Sequence, residues 1–377
     1  MKVKATKQMA AEIQRMLDEQ ALDHRITNDV SYFVEENTVV IDDGSRTAKM
    51  ESDADCIDYA FNVVAKGNNV YTEEAQQALI TPYVRKAGRV FKEGAPRDNP
   101  YLNTVRPQDE RVGKFKLGWA YYQPYQLFSY MTASWIDGHY LTAPALGYFE
   151  DNFVFPYFIE DGKTGWMSIT PNEIFTMERP VKEAHGKVLT LGCGMGYYAY
   201  MAALKDDVES VTIVELEPDV IELFKTAILP FFEHPEKINI VCEDAYVFMK
   251  DLVDGDYDYC FADTWIGGND VSDYLLMRDA CSHLKKTQVS YWIEDSFLKT
   301  LIKLASYEVL DAWDIANGKS VGRRNLHPDL IAASLYLHEV LKDTVVPTPA
   351  SLQRLLSKKG ILAALEKATV PFVSVVQ

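Results

Sequence analysis

Three glycines at alternate positions, Gly192, Gly194 and Gly196, close the apolar run Val188-Leu189-Thr190-Leu191. Glycine spares a Cβ where a chain turns sharply and where a ligand must approach the backbone. A second apolar run, Val211-Thr212-Ile213-Val214, ends in Glu215, 19 residues past Gly196. An acid at that distance is placed to accept hydrogen bonds from ribose hydroxyls. The pattern is a strand, a tight turn, a helix and a second strand, the unit that holds adenosine cofactors at the carboxyl edge of a parallel sheet. A dinucleotide fingerprint would put its third small residue at 197, where this chain has Tyr197. The alternate-glycine form suits a cofactor without a pyrophosphate. A bare strand-to-helix turn would not require the acid to follow on schedule.

On these residues the stretch from Thr170 to Ile293 resembles class I S-adenosylmethionine-dependent methyltransferases, with a spermidine-synthase-like flavour. The resemblance implies that Gly192, Cys193, Gly194 and Gly196 meet the methionine part of S-adenosylmethionine. It implies that Glu215, with Leu216 beside it, binds the ribose. Ile238-Asn239-Ile240-Val241-Cys242-Glu243 leads to Asp244, which in the family recognises the adenine amine, with the Ala245 backbone beside the ring. Tyr257-Asp258-Tyr259-Cys260-Phe261-Ala262 delivers Asp263 to the reaction centre, where it is the candidate catalytic proton acceptor as well as a cofactor contact.

The chain departs from the family pattern twice. An acid two residues before the first glycine is usual, and here that residue is Thr190. Spermidine synthases carry a second acid shortly after the fourth-strand Asp, whereas Asp263-Thr264-Trp265-Ile266-Gly267-Gly268-Asn269 has none. The expected function is methyl transfer to a small molecule by in-line displacement. Aminopropyl transfer and non-catalytic S-adenosylmethionine binding are the alternatives. Asp263-Thr264-Trp265 with Glu294 and Asp295 loosely resembles the Mg²⁺ site of catechol-type enzymes. His139, His185, His234 and His283 lack paired ligand spacing, so zinc is not expected. Trp166, Glu173, Tyr197, Tyr198 and Trp265 are candidate walls of the acceptor pocket. Such aromatics are more often core, and the alternative for Glu173 is a helix cap alone.

Composition narrows the partners. The 377 residues hold 38 Lys and Arg against 55 Asp and Glu, a net charge of −17. That balance argues against phosphate-backbone binding. The Asp/Asn-Pro-Pro-aromatic motif of amino-methylating nucleic-acid enzymes is also missing after the fourth strand. The expected partner is a small molecule, with no nucleic acid and no membrane, and the chain is compatible with a homodimer. The five cysteines, at 56, 193, 242, 260 and 281, have no Cys-x-x-Cys spacing and read as reduced thiols of a cytoplasmic protein. No apolar run reaches the length of a membrane span.

The elements that must position these residues follow from periodicity. Strands at 187–191, 211–215, 238–242, 257–262 and 288–293 alternate with helices at 196–205, 218–229, 245–252 and 270–284. That rhythm predicts a Rossmann-like, doubly wound, mostly parallel sheet over residues 170–295, the class I methyltransferase fold. Residues 1–169 read as an α+β domain for substrate or oligomer contacts. It has helices at 5–20 and 52–66, a further helix opening at Thr72, and a long loop at 93–112. An aromatic-rich stretch at 119–158 reads as a packed core, the alternative being that some of its rings line a substrate cavity. A hairpin turns at Asp161-Gly162. Thr170-Pro171-Asn172-Glu173 reads as a helix start with a capping box. Residues 296–377 read as a helical extension, with helices at 296–306, 328–342, 348–357 and 360–368, and with Val370–Val376 as a candidate closing strand.

Overall fold

The computed structural model describes every residue except 42–51, 72, 93, 95–97, 164, 322–324, 373 and 375–377. The chain opens with β1 (Lys2–Val3) and α1 (Lys7–Ile26), where Thr6 accepts from the Met9 amide at 3.1 Å and Met9, Ile13 and Met16 form the buried stripe. A π-helical turn at Thr27–Tyr32 leads to α2 (Phe33–Glu36). Next come α3 (Asp53–Gly67), α4 (Glu74–Ala87), β2 (Arg89–Phe91), α5 (Pro100–Thr104) and β3 (Arg111–Val112). The expected opening of α4 at Thr72 lies outside the described residues. The expected long loop at 93–112 is corrected by α5 and β3. Asn99 accepts from the Leu102 amide at 3.0 Å and Pro100 takes the first helical position, a local start that is too short for periodicity to reveal.

Four strands of similar length follow: β4 (Phe115–Tyr122), β5 (Phe128–Trp135), β6 (Thr142–Phe149) and β7 (Phe153–Glu160). β4 and β7 pair antiparallel along their full length, and β5 pairs with β6 in a second small sheet. The hairpin at Asp161-Gly162 forms, but its second strand shrinks to β8 (Met167–Ser168). The aromatic stretch divides. Phe91, Phe149, Phe153 and Phe175 stack in series with centroids 4.4–5.3 Å apart, whereas Phe155, Tyr157 and Phe158 line a cavity.

After α6 (Pro171–Glu183) the alternating pattern appears: β9 (Gly186–Leu191), α7 (Tyr197–Ala203), β10 (Val208–Glu215), α8 (Pro218–Leu223), β11 (Ile238–Cys242), α9 (Ala245–Asp251), β12 (Tyr259–Ala262), α10 (Val271–Ala280) and β13 (Gln288–Tyr291). The five strands are all parallel, in the order β11-β10-β9-β12-β13. Four consecutive buried residues in β9, Val188–Leu191, mark a central strand covered on both faces. The predicted helix 218–229 is corrected to α8, a π turn at Phe224–Ile228 and a 3₁₀ turn at Leu229–Phe231. Pro230 has no amide to continue the α-helical ladder.

The remaining chain is α11 (Glu294–Ala316), α12 (Pro328–Leu341), β14 (Val345–Val346), α13 (Pro349–Leu355) and α14 (Lys358–Glu366). α11 outruns its predicted end because Val309 and Ala312 extend its buried stripe. The expected closing strand fails over residues 370–372, which form no strand, and its remainder falls partly outside the described residues. β14 instead pairs parallel with β1. The apolar core has two parts, a large one spanning the five-stranded sheet and the terminal helices, and a smaller one between Leu22 and Tyr148. Among the described residues no helix is long and apolar enough to cross a membrane.

Candidate functional site

The order of the parallel sheet reverses between β9 and β12, and such a switch point leaves a crevice at the carboxyl ends of the strands. A cavity of about 850 Å³ opens there. Every residue assigned from the sequence to the cofactor, to catalysis or to the acceptor walls lines it except Gly196. Residues from β4, β7 and β8 close the opposite side, so the first half of the chain contributes walls that no local motif announced.

The glycine loop is a strained path that glycine alone follows easily. Its φ values are +105° at Gly192, +49° at Gly194 and +70° at Gly196. A Cβ on Gly192 would lie 2.1 Å from the Asp263 carbonyl, and one on Gly194 would lie 2.3 Å from the Met167 sulfur. The loop therefore touches the end of β12 on one side and β8 on the other. Gly196 caps α7 behind the cavity, with Phe224 against it. The Tyr101 hydroxyl donates to the Met195 carbonyl at 2.6 Å, so α5 braces the loop from outside the sheet.

The three strand-end acids play different local parts. Glu215 is buried, and its two oxygens accept from the Cys193 and Glu217 amides, each at 2.9 Å. Each oxygen keeps a lone pair for a hydroxyl of a ligand. Leu216, next to it, is exposed at the cavity mouth. Asp244 caps α9, one oxygen accepting from Tyr246 at 2.7 Å and Val247 at 3.1 Å, while Ala245 begins the helix. No described hydrogen bond reaches the Asp263 side chain. Burial pushes its carboxyl up to about 7, with the Glu215 charge adding to the shift. The Cys193 thiol is pushed well upward by burial and by Glu215, so it stays protonated.

Glu173 departs from its predicted capping role. Thr170 accepts from the Glu173 amide at 3.5 Å, but the Glu173 carboxylate does not reach back to complete a box. It lines the cavity instead. Burial, and then the Asp263 charge, hold its carboxyl well above the usual range. Thr190 is buried and donates its hydroxyl to the Gly192 carbonyl at 3.3 Å.

The aromatic candidates are both core and wall. Tyr198 packs on Phe261 with centroids 4.3 Å apart, and Trp265 meets Phe297 edge-on at 5.2 Å. Trp166 lies across Phe115 at 5.0 Å, and the Tyr197 hydroxyl accepts from Asn99 at 3.1 Å. Sequence reasoning missed Trp292 and Met167. Trp292 donates to the Thr176 hydroxyl at 2.8 Å, which ties the end of β13 to α6. The next residue, Ile293, sits at φ +47°, a strained conformation for a β-branched side chain beside the cavity.

The metal-site residues do not assemble. Glu294 accepts from the Tyr274 hydroxyl at 2.7 Å and pairs with Arg278 at 3.3 Å, while Asp295 pairs with Lys358 at 2.5 Å. Neither lines the cavity. Among the described residues no group of three His, Cys, Asp or Glu could hold a metal ion.

No protein-family model and no curated protein sequence matches the chain. Similar solved structures include a protein from Klebsiella pneumoniae assigned as an O-methyltransferase, 16% identical with a TM-score of 0.24 over 31% of this chain and 52% of that one. A spermidine synthase from Thermotoga maritima is 13% identical with a TM-score of 0.30, over 53% of this chain and 71% of that one. The YcgJ protein of Bacillus subtilis is 14% identical with a TM-score of 0.26, over 36% and 58%. The chain spans about half the length of the first of these.

Proposed function

We propose that the chain is an S-adenosylmethionine-dependent methyltransferase acting on a small molecule. The observation that carries this reading is the charge of the cavity. Glu173, Glu215, Glu217, Asp244 and Asp263 line it, and no Lys, Arg or His does so among the described residues. A pyrophosphate would find no cationic side chain among the described lining residues, whereas a sulfonium would be attracted to the carboxylates. The glycine loop supplies the close backbone approach, Glu215 the acceptors for ribose hydroxyls, and Asp244 with the Ala245 amide the edge for an adenine.

When bound, the cofactor supplies a methyl carbon already activated by its positive sulfur. The protein's task is then alignment and exclusion of water. Rings of Trp166, Tyr197, Tyr198 and Trp265 shape the walls that orient an acceptor. Asp263, with its carboxyl near 7, is suited to take a proton from a hydroxyl or ammonium acceptor near neutral pH. The first half of the chain, 1–169, closes the acceptor side through Tyr157 and Phe158.

Aminopropyl transfer would use the same cofactor pocket. Its second acid is not supplied by Asp270, which accepts from the Ile266 and Gly267 amides and does not line the cavity. Calorimetric titration with S-adenosylmethionine and S-adenosylhomocysteine tests the reading. Binding in the micromolar range is expected, and Glu215→Ala should weaken it about 10- to 100-fold, the scale of a charged hydrogen bond. Absence of binding at high micromolar concentration would overturn it. Product formation from decarboxylated cofactor and putrescine would replace methyl transfer with aminopropyl transfer.

A further inference from the structure

The five cavity acids are not equivalent. Glu215 is held by two amides, Asp244 caps a helix, and Glu217 pairs with Lys114 at 3.4 Å. The carboxyl groups of Glu173 and Asp263 have no hydrogen-bond or ion-pair partner among the described residues. They come from different elements, the first turn of α6 and the end of β12, yet both line the same cavity, and the charge of Asp263 acts on Glu173. Each keeps part of its surface accessible.

A desolvated carboxylate without a partner is costly, and a second one beside it costs more. Nothing in the local fold requires this at Glu173, because Thr170 and Pro171 already start α6. Thr190 offers no charge to a ligand, since it is uncharged and its hydroxyl is turned to the Gly192 carbonyl. Trp166 and Tyr197 line the same cavity, and aromatic rings attract cations.

We propose that Glu173 and Asp263 together form a subsite for a primary ammonium group. This deepens the methyltransferase reading and rests on it for the cavity's occupant. Two sources carry the group, the amino-acid end of the cofactor and an amine acceptor. The chemistry is shared: three N–H donors and one positive charge, set between two carboxylates.

Titration calorimetry on the full chain and on Glu173→Gln separates the sources. The probes are S-adenosylhomocysteine, its analogue with hydrogen in place of the amino group, and putrescine added with methylthioadenosine. If the cofactor supplies the ammonium, the unmodified chain prefers S-adenosylhomocysteine over the analogue at least tenfold, and Glu173→Gln erases that preference. If an acceptor supplies it, the preference is unaffected and putrescine binding falls at least tenfold in Glu173→Gln. In both cases the near-isosteric variant should melt at a higher temperature, because folding no longer has to bury that carboxylate or take up a proton on it. A merely structural glutamate would lower the melting temperature. Binding of both ammonium probes unchanged in Glu173→Gln overturns the subsite. Glu173-dependent putrescine binding without any S-adenosylhomocysteine binding keeps the subsite and removes the cofactor reading. Binding of neither probe removes both.

Discussion

Asp263 is the residue at which the chemistry and the stability of this protein meet. Its backbone is committed, because its amide donates to the Leu191 carbonyl at 2.9 Å and its own carbonyl blocks any side chain at Gly192. Its carboxyl has no described hydrogen bond and is raised to about 7 by burial and by Glu215. Its charge acts on Glu173, and among the described residues no Lys, Arg or His lines the cavity to offset either acid. The sign of the pH effect follows from proton counting. Between the ordinary carboxylate range and pH 7 the folded chain binds more protons at this site than the unfolded chain. Stability therefore falls as pH rises through that window. Asp263→Asn should match the unmodified chain near pH 4 and exceed it by ~2 kcal/mol near pH 8, a conservative share of a three-unit displacement. Chemical denaturation at the two pH values checks this, and an Asn variant that is less stable at pH 8 would contradict it. The same carboxyl should make ligand affinity rise from pH 6 to pH 8, because the ionised form attracts a cation.

At the scale of the element, the glycine loop depends on a helix far away in sequence. α5 is only five residues long, yet it aims the buried Tyr101 hydroxyl at the Met195 carbonyl. Tyr101→Phe keeps the ring and its packing on Tyr197 and Tyr200. It leaves a buried carbonyl without its donor, which costs about 1–3 kcal/mol. The expected outcome is a lower melting temperature together with weaker S-adenosylhomocysteine binding. Loss of stability with unchanged affinity would show that the brace does not act on the loop. This dependence also marks what a sequence can and cannot disclose. The parallel strands were legible because β9 and β10 are apolar runs ended by glycine and by acid. The cavity acids at the carboxyl ends of β10, β11 and β12, Glu215, Asp244 and Asp263, were legible with them. α5 was hidden in a polar stretch because its start is set by one Asn-Pro pair and its role by a contact 94 residues along the chain. Glu173 was legible as an acid in a first turn, but its turn away from the cap was not, since the reason lies across the cavity. Met167 and Trp292 were missed for the same cause, as each reaches the site through tertiary packing alone.

At the scale of the whole molecule, the site needs walls from both halves of the chain, so whatever joins the halves matters to it. The two cores meet at a polar junction. Asp23 on α1 accepts from the Thr142 amide and hydroxyl of β6, both at 2.7 Å, and pairs with Lys299 of α11 at 2.8 Å. The Lys299 ammonium also donates to the Thr142 and Thr27 hydroxyls at 2.9 and 3.1 Å. Leu22 and Ile26 of the smaller core flank Asp23, while Leu298 and Leu301 of the larger core flank Lys299. In a chain of net charge −17, a buried acid without this partner would be hard to sustain. Lys299→Met should therefore destabilise the fold by ~1–3 kcal/mol, less than a fully buried pair because the lysine is partly accessible. Asp23→Asn removes the charge that Lys299 serves. The double variant should accordingly lose less than the two single losses added together, by at least ~1 kcal/mol. Urea denaturation of the four proteins gives that coupling directly, provided the slopes agree. Additive losses would mean that the junction is held by its hydrogen bonds alone, with no contribution from the charges.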